Sequence, residues 1–309
     1  MRTRRSQFSS DPVSPQGHQP VLLHEAISSL AIVQDDVVVD ATLGGAGHAK
    51  AISGQLGKNG TLIGLDLDQD AIHRAGKALA GTKPKIHLLE ANFRNIEREV
   101  ASLGVRRITK VLFDLGWSSY QLDSGRGFSI RADEPLRMTY SNDPKSLTAA
   151  MIVNEWQESS IADILYGWGE ERYSRRIAKA IVQRRHTKPF TSALDLAETI
   201  KAAVPPGYRF GRIHPATRSF QALRIAVNDE LGALSEGLQG AWKTLASGGR
   251  IAVITFHSIE DRVVKQLFRE WECNGEGSRI NKKPLAPTRE EIAKNPRSRS
   301  AKLRVIQKS

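Results

Sequence analysis

Cysteine is almost absent from this 309-residue chain: Cys273 stands alone. A disulfide within the chain is therefore excluded, and so is a cysteine-rich zinc site. Long apolar runs are missing as well. None approaches the ~18 residues a membrane-spanning helix needs. The basic opening Met1-Arg2-Thr3-Arg4-Arg5-Ser6 is not followed by the apolar stretch of a secretory signal. A reducing, cytoplasmic setting is the expectation. Aromatic residues are also few, at 6% of the chain, but 40% of it is hydrophobic. That suffices for one large domain or two smaller ones with real cores.

The net charge is +12, and it is unevenly spread. Residues 1–10 carry +3, residues 172–224 carry +10 and residues 279–309 carry +8, which leaves −9 on the rest. Three basic patches on a slightly acidic body point to a polyanionic partner, most simply nucleic acid. A lipid surface is the weaker alternative, because no amphipathic anchor is evident.

The most informative stretch is Asp40-Ala41-Thr42-Leu43-Gly44-Gly45-Ala46-Gly47-His48. It follows the β-branched run Val37-Val38-Val39 and leads into a helix-like segment from about Ala49. Three glycines let the backbone approach a ligand where a Cβ would clash. The next strand, Leu62-Ile63-Gly64-Leu65, ends in Asp66. That is about 20 residues beyond the turn, where nucleotide-binding α/β folds place a ribose-binding carboxylate. The spacing G-G-x-G is not the dinucleotide fingerprint, and no Gly-Lys-Ser/Thr follows, so neither phosphate cradle fits. A glycine turn flanked by carboxylates suits S-adenosylmethionine better: it has no phosphates but carries a ribose, an amino-acid moiety and a sulfonium cation.

Periodicity organises the chain further. Helices are expected over Val21 to Leu30, after the glycine turn, over Gln69 to Ala80 and over Asn95 to Leu103. Strands are expected over Asp36 to Asp40, Thr61 to Asp66, Lys85 to Leu89 and Ile108 to Asp114. This alternation predicts an α/β fold with a parallel, doubly wound sheet. Residues 115–140 read as a loop, and from Ser146 to about Leu223 every segment reads as helical. Ser192 and Asp195 have capping-box spacing, and Pro215 opens a long helix to about Leu245. Gly248-Gly249 ends it, Ile251 to Phe256 returns as strand five, and Ser258 with Asp261 has capping-box spacing again. A helical domain inserted between strands four and five is the simplest account. The final 35 residues, rich in Lys, Arg and Pro, read as a mobile tail whose end, Ala301 to Gln307, can add an edge strand.

Ligands of parallel α/β sheets bind at the carboxyl ends of the strands. Those ends supply Asp40, Asp66, Glu90 to Phe93, Asp114 and His257. Phe93 suits either an adenine or the core. Asp114 suits either a loop cap or a ligand contact, and Gly116, Ser118 and Ser119 after it favour the ligand. His257 reads more readily as a structural histidine. Trp156, Tyr166, Trp168 and Tyr173 can stack on bases or fill a core, and Trp156 reads as core. Arg175, Arg176, Arg184 and Arg185 are candidates for phosphate contact.

Several longer motifs accompany the turn. They are His18-Gln19-Pro20-Val21-Leu22-Leu23 with Glu25, Asp114 to Asp123 with Gly125 to Ser129, His214 to Arg218 continuing to Asn228-Asp229-Glu230-Leu231, Thr255 to Arg262, and Asn295 to Arg304. Together they resemble the bacterial small-subunit ribosomal RNA cytosine-N4 methyltransferases, nearly end to end. The resemblance implies a Rossmann-like methyltransferase domain over 1–140 and 225–309 and a helical insert over 141–224 that helps hold RNA. It implies cofactor contacts at Gly45, Ala46, Gly47, His48, Asp66, Phe93, Asp114 and Gln121, of which His48 and Gln121 come from the resemblance alone. The implied substrate is a cytosine in the decoding region of 16S ribosomal RNA, presented on the assembled small subunit. One segment departs from the family. Where it runs Gly-Pro-Leu-Asp-Met-Arg-Met-Asp, this chain has Glu134-Pro135-Leu136-Arg137-Met138-Thr139-Tyr140-Ser141, so charges are rearranged.

An exocyclic cytosine nitrogen is a poor nucleophile, because its lone pair is delocalised into the ring. A site must accept its hydrogen bond and take its proton as the new bond forms. Asp114 is the expected catalytic residue, either orienting the amine or holding the cofactor's charged end. The sulfonium is already a good leaving group, so no metal is required. Two alternatives stand beside this. A DNA cytosine-N4 methyltransferase would carry a Ser/Asp-Pro-Pro-Tyr/Phe motif, which is absent. A ribosome-binding assembly factor would keep the fold without activity, and the changed 134–141 segment lends it a small weight.

Overall fold

Strand β1 (Val37–Asp40) has Val38, Val39 and Asp40 buried, which is why it reads as a continuous β-branched run rather than an alternating one. The computed structural model describes residues 19–116, 125–141, 143–211 and 213–309. The alternation continues through α1 (Leu23–Leu30), α2 (Gly47–Gln55), β2 (Thr61–Asp66), α3 (Gln69–Ala78), β3 (Lys85–Glu90), α4 (Ile96–Ser102) and β4 (Ile108–Asp114). Strand β5 (Leu245–Thr255), β6 (Gly277–Arg279) and β7 (Lys302–Lys308) complete a seven-stranded sheet in the order β3-β2-β1-β4-β5-β7-β6. The first five in that order are parallel, and β7 runs antiparallel to both its neighbours. Strand order reverses between β1 and β4, and such a switch point opens a crevice at the carboxyl ends. Apolar clusters cover both faces. One gathers Phe113, Leu238 and Phe268, and the other Leu22, Ile52 and Leu303.

Helices α5 (Ala149–Glu155), α6 (Glu158–Gly167), α7 (Ser174–Arg185), α8 (Ala193–Ala203), α9 (Pro206–Arg209) and α10 (Thr217–Asn228) surround a third cluster. Ile152, Leu165, Ile181, Leu196 and Leu223 sit in it, together with Phe128, Leu136 and Met138 from the preceding loop. Trp156 packs against this cluster, as a core residue would.

Four local expectations need correction. Ser192 bonds Asp133, and Asp195 takes Arg184 at 2.6 Å, so the expected capping box at α8 does not form. The long helix is two helices. Asp229 turns left-handed (φ 47°) between α10 and α11 (Glu230–Thr244), held by Arg94 at both its carbonyl and its carboxylate. No glycine or proline marks that break. Strand β5 begins at Leu245, upstream of Gly248-Gly249, with its register against β4 shifting between Ile108 and Lys110. The basic C-terminal segment is not a free tail: β7 lies inside the sheet, between β5 and β6. The three bases of β7 have partners: Arg304 and Lys302 both pair with Asp261, and Lys308 reaches the carbonyls of Trp242 and Leu245. Composition exposes the charges of such a segment but not the acids that neutralise them.

Candidate active site

The glycine turn is built against β2. Leu43 N–H donates to the Leu65 carbonyl at 3.1 Å, and its side chain lies over Gly64, where a Cβ would come within 2.5 Å of it. Gly44 adopts φ +48°, which favours glycine, and its N–H donates to Asp66 Oδ2 at 2.8 Å. The other Asp66 oxygen accepts from Asp68 N–H at 2.9 Å. Burial raises the Asp66 carboxyl, partly offset by these two donors. Ala46, also left-handed at φ 61°, starts α2 without a side-chain cap. Gly47 has a different reason to be glycine. A Cβ there would lie 2.9 Å from the Pro20 ring, so the segment before α1 already excludes a side chain.

Across the switch point, Asp40 and Asp114 end the neighbouring strands β1 and β4. His48, from the first turn of α2, reaches between them. Its Nδ1 faces Asp114 Oδ2 at 3.4 Å, and its Nε2 donates to the Val21 carbonyl at 3.1 Å. Both ring nitrogens thus face oxygen acceptors, the pattern of an imidazolium. Burial opposes that charge, but the Asp114 hydrogen bond and charge, with help from Asp40 and Val21, outweigh it and hold the His48 pKa above its usual value. Thr42, which the sequence reading passed over, fixes the strand ends: its Oγ1 accepts from Asp114 N–H at 2.7 Å, and its own N–H donates to Asp40 Oδ1 at 3.2 Å. Asp40 is fully buried, and burial pushes its carboxyl up to about 6 despite the nearby His48.

Two buried oxygens here, Asp40 Oδ2 and Asp114 Oδ1, have no hydrogen-bond partner among the described residues. Buried carboxylate oxygens demand donors or positive charge. A phosphate would meet repulsion at this crevice, whereas a ligand bearing an ammonium and a sulfonium answers it. These acceptors therefore fit S-adenosylmethionine.

Of the remaining expected residues, Phe93 follows β3 and meets Phe113 edge-on at 5.6 Å, with Gly237 of α11 packed close enough that a Cβ there would sit 2.8 Å from its ring. It is half-buried and wedged between sheet and helix. Gly116 is glycine because Phe256 covers it; a Cβ would lie 2.6 Å from that ring. Gln121 lies outside the described residues, as do Ser118 and Ser119.

His257 is structural. Its Nδ1 accepts from Glu260 N–H at 3.3 Å, so Nε2 carries the proton and faces Glu260 Oε1 at 3.0 Å. Glu260 in turn accepts from Phe256 and His257 N–H. This is a capping box at the N-terminus of α12 (Ser258–Cys273), one residue before the expected Ser258. Histidine can fill the capping position because its ring nitrogen accepts as a serine oxygen does. Beside it lies a buried network that sequence reading also missed. Arg224 pairs with Glu230 at 2.7 Å, and Tyr140 donates to Glu230 Oε1 at 2.9 Å. Asn228 ties Met138 O and Tyr140 N–H, both at 2.8 Å. The departing 134–141 segment is thus docked onto α10 and α11 through Tyr140.

The model of the MraW methylase family matches residues 15–309. A ribosomal RNA small subunit methyltransferase H from Carboxydothermus hydrogenoformans is 48% identical over 309 residues, covering 94% of this chain and 97% of the relative. The protein of the same name from a Paenibacillus species is 46% identical, covering 94% and 99%. That from Symbiobacterium thermophilum is 44% identical, covering 94% and 96%. The resemblance read from the motifs is borne out: this chain belongs to the MraW methylase family.

Proposed function

We propose that this chain transfers the methyl group of S-adenosylmethionine to the exocyclic N4 of a cytosine in the decoding region of 16S ribosomal RNA, on the small subunit. The carrying observation is the Asp40–His48–Asp114 cluster with its two unpartnered oxygens at the switch point, in a chain whose relatives are named as small-subunit ribosomal RNA methyltransferases. The cofactor's sulfonium supplies an activated methyl and a neutral leaving group. Asp66 holds a ribose from the floor of the turn, and the backbone of Gly45, Ala46 and Gly47 borders the cofactor. His48 orients Asp114 through its Nδ1, Phe93 borders the adenine, and Gln121 completes the set. Asp114 accepts a hydrogen bond from the attacking amine. The basic helical insert over 141–224 holds the RNA, and its apolar cluster, which also takes in Phe128, Leu136 and Met138 of the preceding loop, is separate from those on the sheet.

Labelled S-adenosylmethionine incubated with small subunits, naked 16S RNA and DNA tests this. Label is expected in the RNA of the subunit, released on digestion as N4-methylcytidine. Label in DNA overturns the reading, and cofactor binding without transfer to any of the three leaves the assembly factor.

Cofactor affinity should also depend on pH. In the free protein the Asp40 carboxyl is held at about 6, mainly by burial. A bound cation favours the ionised form, so binding releases a proton wherever the free protein still holds one. The Asp40 contribution to affinity should therefore be level above pH 7 and fall as pH drops through 6, by at most about tenfold per unit. Calorimetry between pH 5 and 7.5 would show it. An unchanged slope in Asp40→Asn would refute the assignment to this group.

A further inference from the structure

The most exposed large apolar side chain among the described residues is Phe210, at 80%, and Ile213 three residues on is 58% exposed. Single exposed apolar residues are ordinary, but these two lie three residues apart, and the backbone of the first is anchored. Tyr208 fixes the base of its turn. Its hydroxyl donates to Glu171 Oε2 at 2.7 Å, its ring meets Tyr173 edge-on at 5.0 Å, and the Arg172 guanidinium lies 4.9 Å from its centroid. Arg209 reaches back to the carbonyls of Ala202 and Val204 at 3.0 and 3.1 Å. Phe210 N–H donates to Pro206 O, and Gly211 N–H to Tyr208 O, which closes the turn. The neighbours of Phe210 are thus tied down, while its ring stands in solvent.

The surroundings select the partner. The loop lies within residues 172–224, the most basic part of the chain at +10. A fixed, exposed aromatic among cations offers stacking to a base and attraction to its backbone, the two terms of single-strand binding. We infer that Phe210, supported by Ile213, receives an unstacked base of a single-stranded segment of the RNA substrate. This rests on the ribosomal RNA reading above. The loop sits at the N-terminal end of α10, a helix of twelve residues and so about 18 Å, with Asn228 and the Tyr140 network at the other end, while Tyr208 also links it through Glu171 to the Glu170–Ser258 bond beyond β5. The loop acts as a second grip that sets the register of the RNA against the site.

The test uses the full chain and purified small subunits. A photoreactive phenylalanine analogue at position 210 should crosslink to 16S RNA. Crosslinking only to ribosomal protein, or to nothing, overturns the inference. Phe210→Ala should weaken subunit binding about ten- to hundredfold, Phe210→Trp should retain it, and Phe210→Leu should behave like alanine. Equal binding by the leucine and tryptophan variants would mean an apolar contact rather than stacking. Cofactor affinity and melting temperature should be unchanged throughout, because the side chain touches neither site nor core. Binding and crosslinking do not require methyl transfer, so an inactive but RNA-bound wild type would sink the catalytic reading and leave this one standing.

Discussion

Asp114→Ala should lower methyl transfer by about a hundred- to ten-thousandfold, the range a positioned acid or base supplies. The loss has two physical parts. One is the unpartnered Oδ1, which has no other acceptor to replace it at the end of β4. The other is His48, whose charge depends on the Asp114 carboxylate more than on any other group. With Asp114 gone, burial dominates, so the His48 imidazole should titrate lower, a change visible by NMR. Asp114→Asn separates shape from charge: it should keep the fold, lose most of the rate and lower the His48 pKa as well. Calorimetry then distinguishes the two roles. Retained cofactor affinity assigns Asp114 to the acceptor amine, and lost affinity assigns it to the cofactor. An alanine variant with full activity would remove Asp114 from the chemistry.

Glu230→Ala should be the most destabilising single change in the junction, at about 3–5 kcal/mol, because it strands the Arg224 guanidinium in a buried place. Arg224 is 6% exposed and takes its charge pairing from Glu230. Tyr140 loses its acceptor in the same step, so the 134–141 segment should loosen too. The double variant Arg224→Met with Glu230→Leu should be less harmful than the single one, since no charge is left unpaired. Urea unfolding measures both. A Glu230→Ala variant within 1 kcal/mol of wild type would mean that water reaches Arg224 and the network is not buried in solution.

Much of this was legible beforehand, for reasons that differ by residue. The sheet was readable because strands buried on both faces leave unbroken β-branched runs such as Val37 to Val39. The turn was readable because Gly44 needs a left-handed φ and Asp66 needs a fixed offset from it. Motif similarity added His48, whose role depends on reaching across to another strand, which no local pattern records. The sequence did not reveal why Gly47 and Gly116 are glycines, since Pro20 and Phe256 are distant in the chain. Nor did it reveal the break at Asp229, which a side chain from another element, Arg94, stabilises in a conformation that aspartate tolerates. The cap at His257 was missed by one residue because serine is the commoner cap. Charge counting misread the C-terminal strand for the same kind of reason: Asp261, its neutralising partner, lies on another element.

The pairing of β4 with β5 has a kinetic consequence. These strands form one edge of the switch-point crevice, yet the whole helical cluster lies between them in sequence. Their contact order is high, and bringing them together closes a very long loop. Helices α5 to α10 make mostly local contacts and bury a cluster of their own, so they can form early and shorten that loop from within. The rate at which the crevice assembles is then governed by the stability of helices that supply none of its strand-end carboxylates. Substitutions in their core should slow the appearance of activity during refolding more than they alter the activity finally reached.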